Sequence, residues 1–440
     1  MKKLLVILVV LALTVISSLV FAADVTVNGS LDIRSRSFKN LDFSDDTADT
    51  SSTAAKDTQS RERIEVNAKV GDTKGKITIE NDWDSWGRFE QPMGDGTTST
   101  SYKAADYATT GNPGKASLEV REAWIDFRLP GLPVGVKAGH QLLQLGQGWF
   151  FRSMKYGADA WMAYSPMGDN TLAFVDVKVV ENNTSQADDA DAYVILDSYK
   201  LNDNNTVGID VTMVNDRRGL LLKALSLGGA TSTKGSLTNV GLNYTGKVGP
   251  VNLKAEVDIQ SGKVTNGLDA TTDIKFSGNQ IVLQASMPMD ALTINATLAR
   301  GSGDKADTAD KNEGIVALLD ADPHYTFLYE YKTKAGGSQY NLGKGFDNTT
   351  ALGIGAAYAL KSVTVGADVW MLKATEKVDD KTSSNPAVTT NDLGTEIDVK
   401  VNWTLAENLT WNWTLGYLVP GNGLGKDTAS GVQGVLSMKF

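Results

Sequence analysis

The chain has 440 residues, 42 basic against 52 acidic side chains, a formal net charge of −10 and no cysteine. The acidic surplus argues against nucleic-acid binding, which needs a cationic surface, and the missing thiols exclude disulfides, thiolate metal sites and covalently attached haem. A mean hydropathy of −0.19 fits a soluble protein. It fits a transmembrane barrel equally well, because lipid-facing and water-facing residues alternate there.

Met1-Lys-Lys3 is a basic start, Leu4 to Val20 is an apolar run, and Val20-Phe21-Ala22 offers a cleavage site. That order reads as a secretory signal peptide over residues 1–22 rather than a membrane anchor. No later stretch approaches the roughly 18 apolar residues of a spanning helix. The remainder, 23–440, has no proline-rich linker, composition break or long charge block, and is expected to form one domain. Removal of Lys2 and Lys3 makes it two units more negative.

Val25, Val27, Leu31 and Ile33 share one face of a first expected strand, and Asp32, Arg34 and Arg36 the other. The next two expected strands carry Arg61, Arg63 and Glu65, then Glu80, Asp82 and Asp84, on their polar faces. These nine residues are the candidate pore-lining set. Opposite charges on facing strands would brace the wall; the same charges beside water would form a field that orients solutes. Set against the overall negative charge, the arginines predict only mild ion selectivity, with a slight lean to cations.

Segment 87–116 is the longest polar connection; folded inward, it would bring Arg88, Asp95 and Asp106, with Trp86 at its base, to a constriction. Segment 144–157 sets Trp149, Phe150 and Phe151 beside Arg152 and Lys155, as a sugar-stacking platform or a packed lid. Acidic groups such as Asp42, Asp188, Asp189, Asp191, Asp304, Asp307 and Asp310 lack the Gly and final Glu of a dedicated calcium loop and read as solvated acid. No cofactor is expected.

Alternation with period two dominates, as in Ile64–Val70, Val251–Gln260, Ile397–Thr404 and Leu409–Leu415. Short turns near residues 71–75, 130–133, 165–170, 201–205, 247–249, 288–290, 320–323, 360–362 and 406–408 alternate with longer polar segments. The pattern predicts an all-β, transmembrane, antiparallel up-and-down barrel with short periplasmic turns and long extracellular loops. Counting Ile315–Leu319 as a strand gives about 20 strands, with 18 as the alternative. Trp403, Trp411, Trp413 and Phe440 are expected to face lipid near the turn end, and Tyr329, Tyr331 and Tyr417 near the loop end. The first strand starts two residues after the expected cleavage site, which leaves no room before it for a plug domain.

The last strand alternates from Val432 through Leu436 and Met438 and ends on Phe440, which resembles the assembly signal of bacterial outer-membrane barrels. The whole mature chain resembles a Gram-negative outer-membrane porin. A narrower likeness covers Arg121-Glu-Ala-Trp-Ile-Asp-Phe127, Val136-Lys-Ala-Gly-His-Gln141 and Gly146-Gln-Gly148, which are similar to alginate-export-type porins. The departure is His140, where those proteins commonly carry arginine; the 18 strands of the alginate exporter stand against the count of 20. The resemblance implies an outer-membrane, water-filled channel for passive diffusion of small hydrophilic solutes and ions. It further implies contact with outer-membrane lipid and lipopolysaccharide and engagement of the barrel assembly machinery through Phe440, and leaves open whether the barrel works alone or as a homotrimer. The alternative is a sheath for a cytochrome partner that supplies haem. Catalysis is not expected: His140 and His324 fall at opposite ends of the expected barrel, and neither is paired with a nucleophile.

Overall fold

The computed structural model describes residues 23–43, 56–85, 118–181, 188–217, 232–266, 273–308, 310–319, 325–330 and 345–440. The expected signal peptide, the constriction candidates Trp86, Arg88, Asp95 and Asp106, and Tyr331 and His324 lie outside the described residues.

The chain forms one closed antiparallel sheet. Its strands are β1 (Asp24–Lys39), β2 (Lys56–Val70), β3 (Thr73–Ser85), β4 (Leu118–Arg128), β5 (Gly135–Gln144), β6 (Phe151–Met167), β7 (Asn170–Val180), β8 (Ala190–Asn202), β9 (Asn205–Asp216), β10 (Ser232–Val248) and β11 (Val251–Asn266). After the short β12 (Ile274–Phe276) come β13 (Asn279–Met289) and β14 (Leu292–Gly301), then the short β15 (Lys311–Asn312) and β16 (Leu318–Leu319). The circuit ends with β17 (Thr349–Leu360), β18 (Val363–Asp379), β19 (Thr389–Ala406), β20 (Leu409–Pro420) and β21 (Ala429–Lys439). Eighteen strands pair in chain order around the barrel, β11 with β13 and β14 with β17, and β21 returns to β1. The short β12, β15 and β16 stand apart from that circuit and pair along its loop end.

Burial is inverted relative to a water-soluble protein. On β11, Glu256, Asp258 and Gln260 are 3%, 2% and 3% exposed, while Ile259 between them is 60% exposed. Ile77, Val120, Ile125, Ile209 and Ile354 are likewise exposed around the outside. A continuous outward apolar band on a closed barrel is the surface expected against hydrocarbon, where every backbone group must be satisfied within the sheet.

The seam shows how the terminal residue works. Phe440 donates its amide to the Gly29 carbonyl at 3.0 Å, and Gly29 donates back to the Phe440 carbonyl at 2.7 Å. The Phe440 ring covers the space a side chain at position 29 would fill, so this glycine lets an aromatic seal the join. Trp403 and Trp411 stack nearby in sequence on β19 and β20, with ring centroids 6.5 Å apart.

Short turns at Gly71–Asp72, 129–134, 168–169, 203–204, 249–250, 290–291, 361–362 and 407–408 alternate with longer connections at the other end. The strand count is 18 rather than about 20 because residues 302–348 form one connection, longer than 86–117. Ile315–Leu319 and the segment around Tyr329 are not wall strands, because β14 pairs directly with β17; the expected turn 320–323 lies outside the described residues. Tyr329 does not face lipid: it is fully buried against Phe327, Leu328 and the inner wall. Both segments are apolar because they pack inward. A continuous run such as Ile315-Val-Ala-Leu-Leu319 carries no period-two signal.

Candidate functional site

The barrel interior has two unlike sides. The first is built by β1 to β5, where the sequence concentrates charge at alternate positions. Direct register partners Asp32 and Arg61 form an ion pair at 2.8 Å, and Arg36 pairs with Asp57 at 2.6 Å. Arg63 pairs with Glu80, its register partner on β3, and Arg121 reaches the same carboxylate at 3.7 Å. Glu65 accepts Lys76 at 2.7 Å, and the same ammonium contacts Glu122 at 2.9 Å. Arg34 donates to Gln59. The ladder anticipated from the sequence is therefore a chain of cross-strand contacts through β1, β2, β3 and β4.

Its third strand departs from simple alternation. Ser60 pairs with Asp84 and Glu62 with Asn81, so Arg61 faces two residues, Asp82 and Trp83. This β-bulge turns Trp83 to the face of the arginines: Arg34 lies 3.8 Å and Arg61 4.4 Å from its ring centroid. Trp83 takes a positive φ of 30° there. Asp82 lies 3.6 Å from Lys155 and also acts on the Arg63 guanidinium. The Asp84 side chain lies outside the described residues. Trp83, Gln59, Asp57, Lys76, Arg121 and Glu122 were not among the residues picked out by pattern. A bulge shifts the face of everything beyond it, and period-two reading has no signal for one.

The second side is packed. Connection 145–150 leaves β5 and crosses to β11, where Glu256 accepts the backbone amides of Gln147 and, at 3.1 Å, Trp149. Within the 302–348 connection, Glu396 on β19 accepts the amides of Phe327, Leu328 and Tyr329 at 2.9, 2.6 and 2.8 Å. Gln260 clamps Val316 through both amide groups, at 2.7 and 2.9 Å. Backbone groups folded into the barrel away from the sheet need such acceptors, since an unmade buried bond costs about 1–3 kcal/mol.

Apolar contacts complete that side. Phe150, Phe151 and Leu318 pack on Val175, Val177, Ala192, Val194, Val214 and Leu237, which are inward-facing wall residues. Trp149 meets Phe346 at 4.6 Å and Tyr325 at 6.2 Å, so the two inward connections hold one another. Trp149, Phe150 and Phe151 are each at most 5% exposed; the sugar-stacking platform is ruled out and the packed-lid reading stands. The signal for this lay in β7, where Ala173, Val175 and Val177 are apolar on the face that in an open channel should be polar.

No family model matches the chain, and no curated protein matches it. Solved structures do. OccK9 (OpdG) of Pseudomonas aeruginosa superposes with a TM-score of 0.57 at 12% identity, over 95% of this chain and 98% of that one. A BenF-like porin from Pseudomonas fluorescens Pf-5 gives 0.55 at 13% identity, over 95% and 98%. OpdK of Pseudomonas aeruginosa, solved with vanillate, gives 0.52 at 11% identity, over 94% and 98%. At such identities the likeness is one of fold: the molecule has the 18-stranded barrel architecture of Gram-negative outer-membrane porins.

Proposed function

We propose that this protein is an outer-membrane porin, a water-filled channel through which small hydrophilic solutes and ions diffuse along the charged side of the lumen. The observation that carries the proposal is the division of the interior. Inward connections fill the side of β6 to β11 and β17 to β20 with apolar contacts, while the β1 to β5 side keeps ionised groups whose solvation needs water. Barrels of 16 to 18 strands are wide enough for an aqueous channel.

The charged side presents a nearly balanced cluster. Among the described residues, the guanidinium groups of Arg34, Arg61, Arg63 and Arg121 stand with the carboxylates of Asp32, Glu80, Asp82 and Glu122. Selectivity in this reading is mild, with a slight lean to cations, because field inside a low-dielectric wall follows the nearest groups and these almost cancel. Arg34, Arg36, Arg61, Arg63, Asp32, Glu65, Glu80 and Asp82 are the pore-lining residues of this reading. A small carboxylate, the chemistry of the vanillate found with OpdK, is the solute class that the arginine cluster suits.

The cytochrome-sheath alternative is disfavoured, because Trp149, Tyr325, Phe346 and their neighbours occupy interior space that a haem protein would need. Short turns face the periplasm and long connections the outside, so a maleimide that cannot cross membranes labels Ser384→Cys on intact cells and leaves Asp72→Cys unlabelled. Single-channel recording of the purified barrel in a planar bilayer tests the function directly. Discrete ohmic openings with a reversal potential close to zero, slightly to the cation side of a KCl gradient, are expected; a barrel that inserts but passes no current would refute a channel.

A further inference from the structure

Strand β6 leaves the regular ladder at its loop end. β5 and β6 pair Gln141 with Ala158 and then Leu143 with Ser153, so residues 154–157 stand out as a long bulge. Three contacts pin it. Arg121 on β4 donates to the Met154 carbonyl, Ser153 donates to the Gly157 carbonyl, and His140 on β5 meets the Tyr156 carbonyl through Nε2 at 2.8 Å. Gly157 has a φ of 74°, and a side chain there would collide with the imidazole, so the close approach of the ring depends on glycine.

The other ring nitrogen is committed as well. His140 Nδ1 lies 2.8 Å from Oδ1 of Asp159, its register partner on β6. A carbonyl and a carboxylate both accept, so the two bonds exist together only when both nitrogens carry protons. Among the described residues, Asp159 has no other ion pair. Lys178 on β7 stands in register with Asp159, but its ammonium is held by Asp191 at 2.7 Å, Asp189 at 2.9 Å and Glu181 at 3.5 Å. Asp176 on β7 and Arg217 beyond β9 line the same hollow beside Asp159. From β4 the register partner of His140 is Ala123, and Arg121 turns inward to Glu80 and Glu122. The His140 side chain is 27% exposed and that of Asp159 71%, so protons reach both.

The bulge joins this outward-facing ring to the lumen. Lys155, between the pinned residues, extends to Asp82 at 3.6 Å, and Asp82 acts on the Arg63 guanidinium. One imidazole thus governs where a cation stands on the charged side. Histidine is the side chain whose charge ordinarily changes between pH 5 and 8.

We propose that His140 is a positioning residue that sets the ion selectivity of the channel through Lys155, in a pH-dependent way. The proposal rests on the channel reading given above. Doubly protonated, the ring holds Tyr156 and Asp159 at once, and Lys155 stays beside Asp82. Singly protonated, the ring keeps one N–H, which goes to the carboxylate as the stronger acceptor. The Tyr156 carbonyl then faces a lone pair, the bulge is released, and Asp82 acts on the lumen without Lys155. The channel leans further to cations.

Reversal potentials of the purified mature barrel in a KCl gradient test this at about pH 5.5 and about pH 8. The cation-over-anion permeability ratio of wild type should rise about twofold with pH. His140→Arg, a donor to both acceptors at either pH, should hold the low-pH ratio throughout. His140→Gln, never charged, should hold the high-pH ratio, and Lys155→Gln should match it. His324 and the carboxylates are the same in every variant, so the differences isolate position 140 and its cation. Heat-modifiable migration on gels certifies folding. A wild-type ratio that ignores pH, or a His140→Arg ratio that follows wild type, overturns the proposal. A second readout needs no current. A nitroxide on Tyr156→Cys, which keeps the backbone carbonyl, should gain mobility as pH rises, and should not in Tyr156→Cys with His140→Arg. Equal mobility at both pH values overturns the proposal; a label that loosens on a barrel without current would refute the channel reading alone.

Discussion

The two sides of the lumen use the same kind of residue for different ends. On β1 to β4, carboxylates face arginine and lysine on neighbouring strands: Asp32 with Arg61, Glu80 with Arg63, Glu65 with Lys76. On β11 and β19, Glu256 and Glu396 face backbone amides of connections folded in from the loop end. Charge that meets a cation is spent on bracing the wall. Charge that meets a peptide amide draws chain into the lumen and closes it. The partner decides what an inward acid does.

Removing the acceptor that holds the most amides should give the largest effect. Glu396→Ala strips the acceptor from Leu328 and Tyr329 and leaves Phe327 only its 3.2 Å bond to Asp398, at about 1–3 kcal/mol for each buried group left unmade. The 302–348 connection should loosen from the wall, raising single-channel conductance and open-channel noise while the barrel stays heat-modifiable. A recording identical to wild type would mean that the aromatic contacts alone secure this segment.

Glu256→Ala should act in the same direction and more weakly. It releases Gln147 and Trp149, but Trp149 keeps its contact with Phe346 at 4.6 Å. Aromatic pairs of this kind contribute about 0.5–1.5 kcal/mol. Limited proteolysis near Gly146 should quicken in this variant; unchanged cleavage would separate the two anchors in kind rather than degree.

Replacing Arg61 and Arg63 together with Ala should destabilise the barrel by up to about 3–5 kcal/mol per pair, since the buried carboxylates of Asp32 and Glu80 lose their nearest cations. The reversal potential in a KCl gradient should move toward cations. That shift should shrink as salt rises, because the screening length falls from about 10 Å at 0.1 M to about 3 Å at 1 M. A constant reversal potential with intact conductance would make these charges braces for the wall and nothing more.

The barrel was legible because its strands obey one rule over long stretches. In Val251–Gln260 or Leu409–Leu415 every second residue is apolar, and those residues face outward in the structure. Turn lengths gave the up-and-down order, and eight of the nine expected turns join wall strands. The interior was legible only where it repeats that rule. Arg61 opposite Asp32 follows from register, while Trp83 between Arg34 and Arg61 depends on a bulge. The inward connections were hidden for a different reason. Ile315–Leu319 and the residues around Tyr329 have strand-like composition, and their true partners, Val175, Leu393 or Leu418, are distant in sequence. Glu256 and Glu396 were visible as polar-face residues, but nothing local marks an acid as an acceptor for chain folded in from elsewhere.

The division of the lumen into an open and a filled side is tested most directly by chemical blocking of one residue on each. The chain has no native cysteine, so single replacements are clean. Arg63→Cys lies on the charged side; Val194→Cys lies beneath Phe150, Phe151 and Leu318. A small water-soluble methanethiosulfonate is added to open channels of each variant in a bilayer. The account predicts a stepwise, irreversible fall in conductance for Arg63→Cys and no change for Val194→Cys. Block at position 194 with none at position 63 would contradict it.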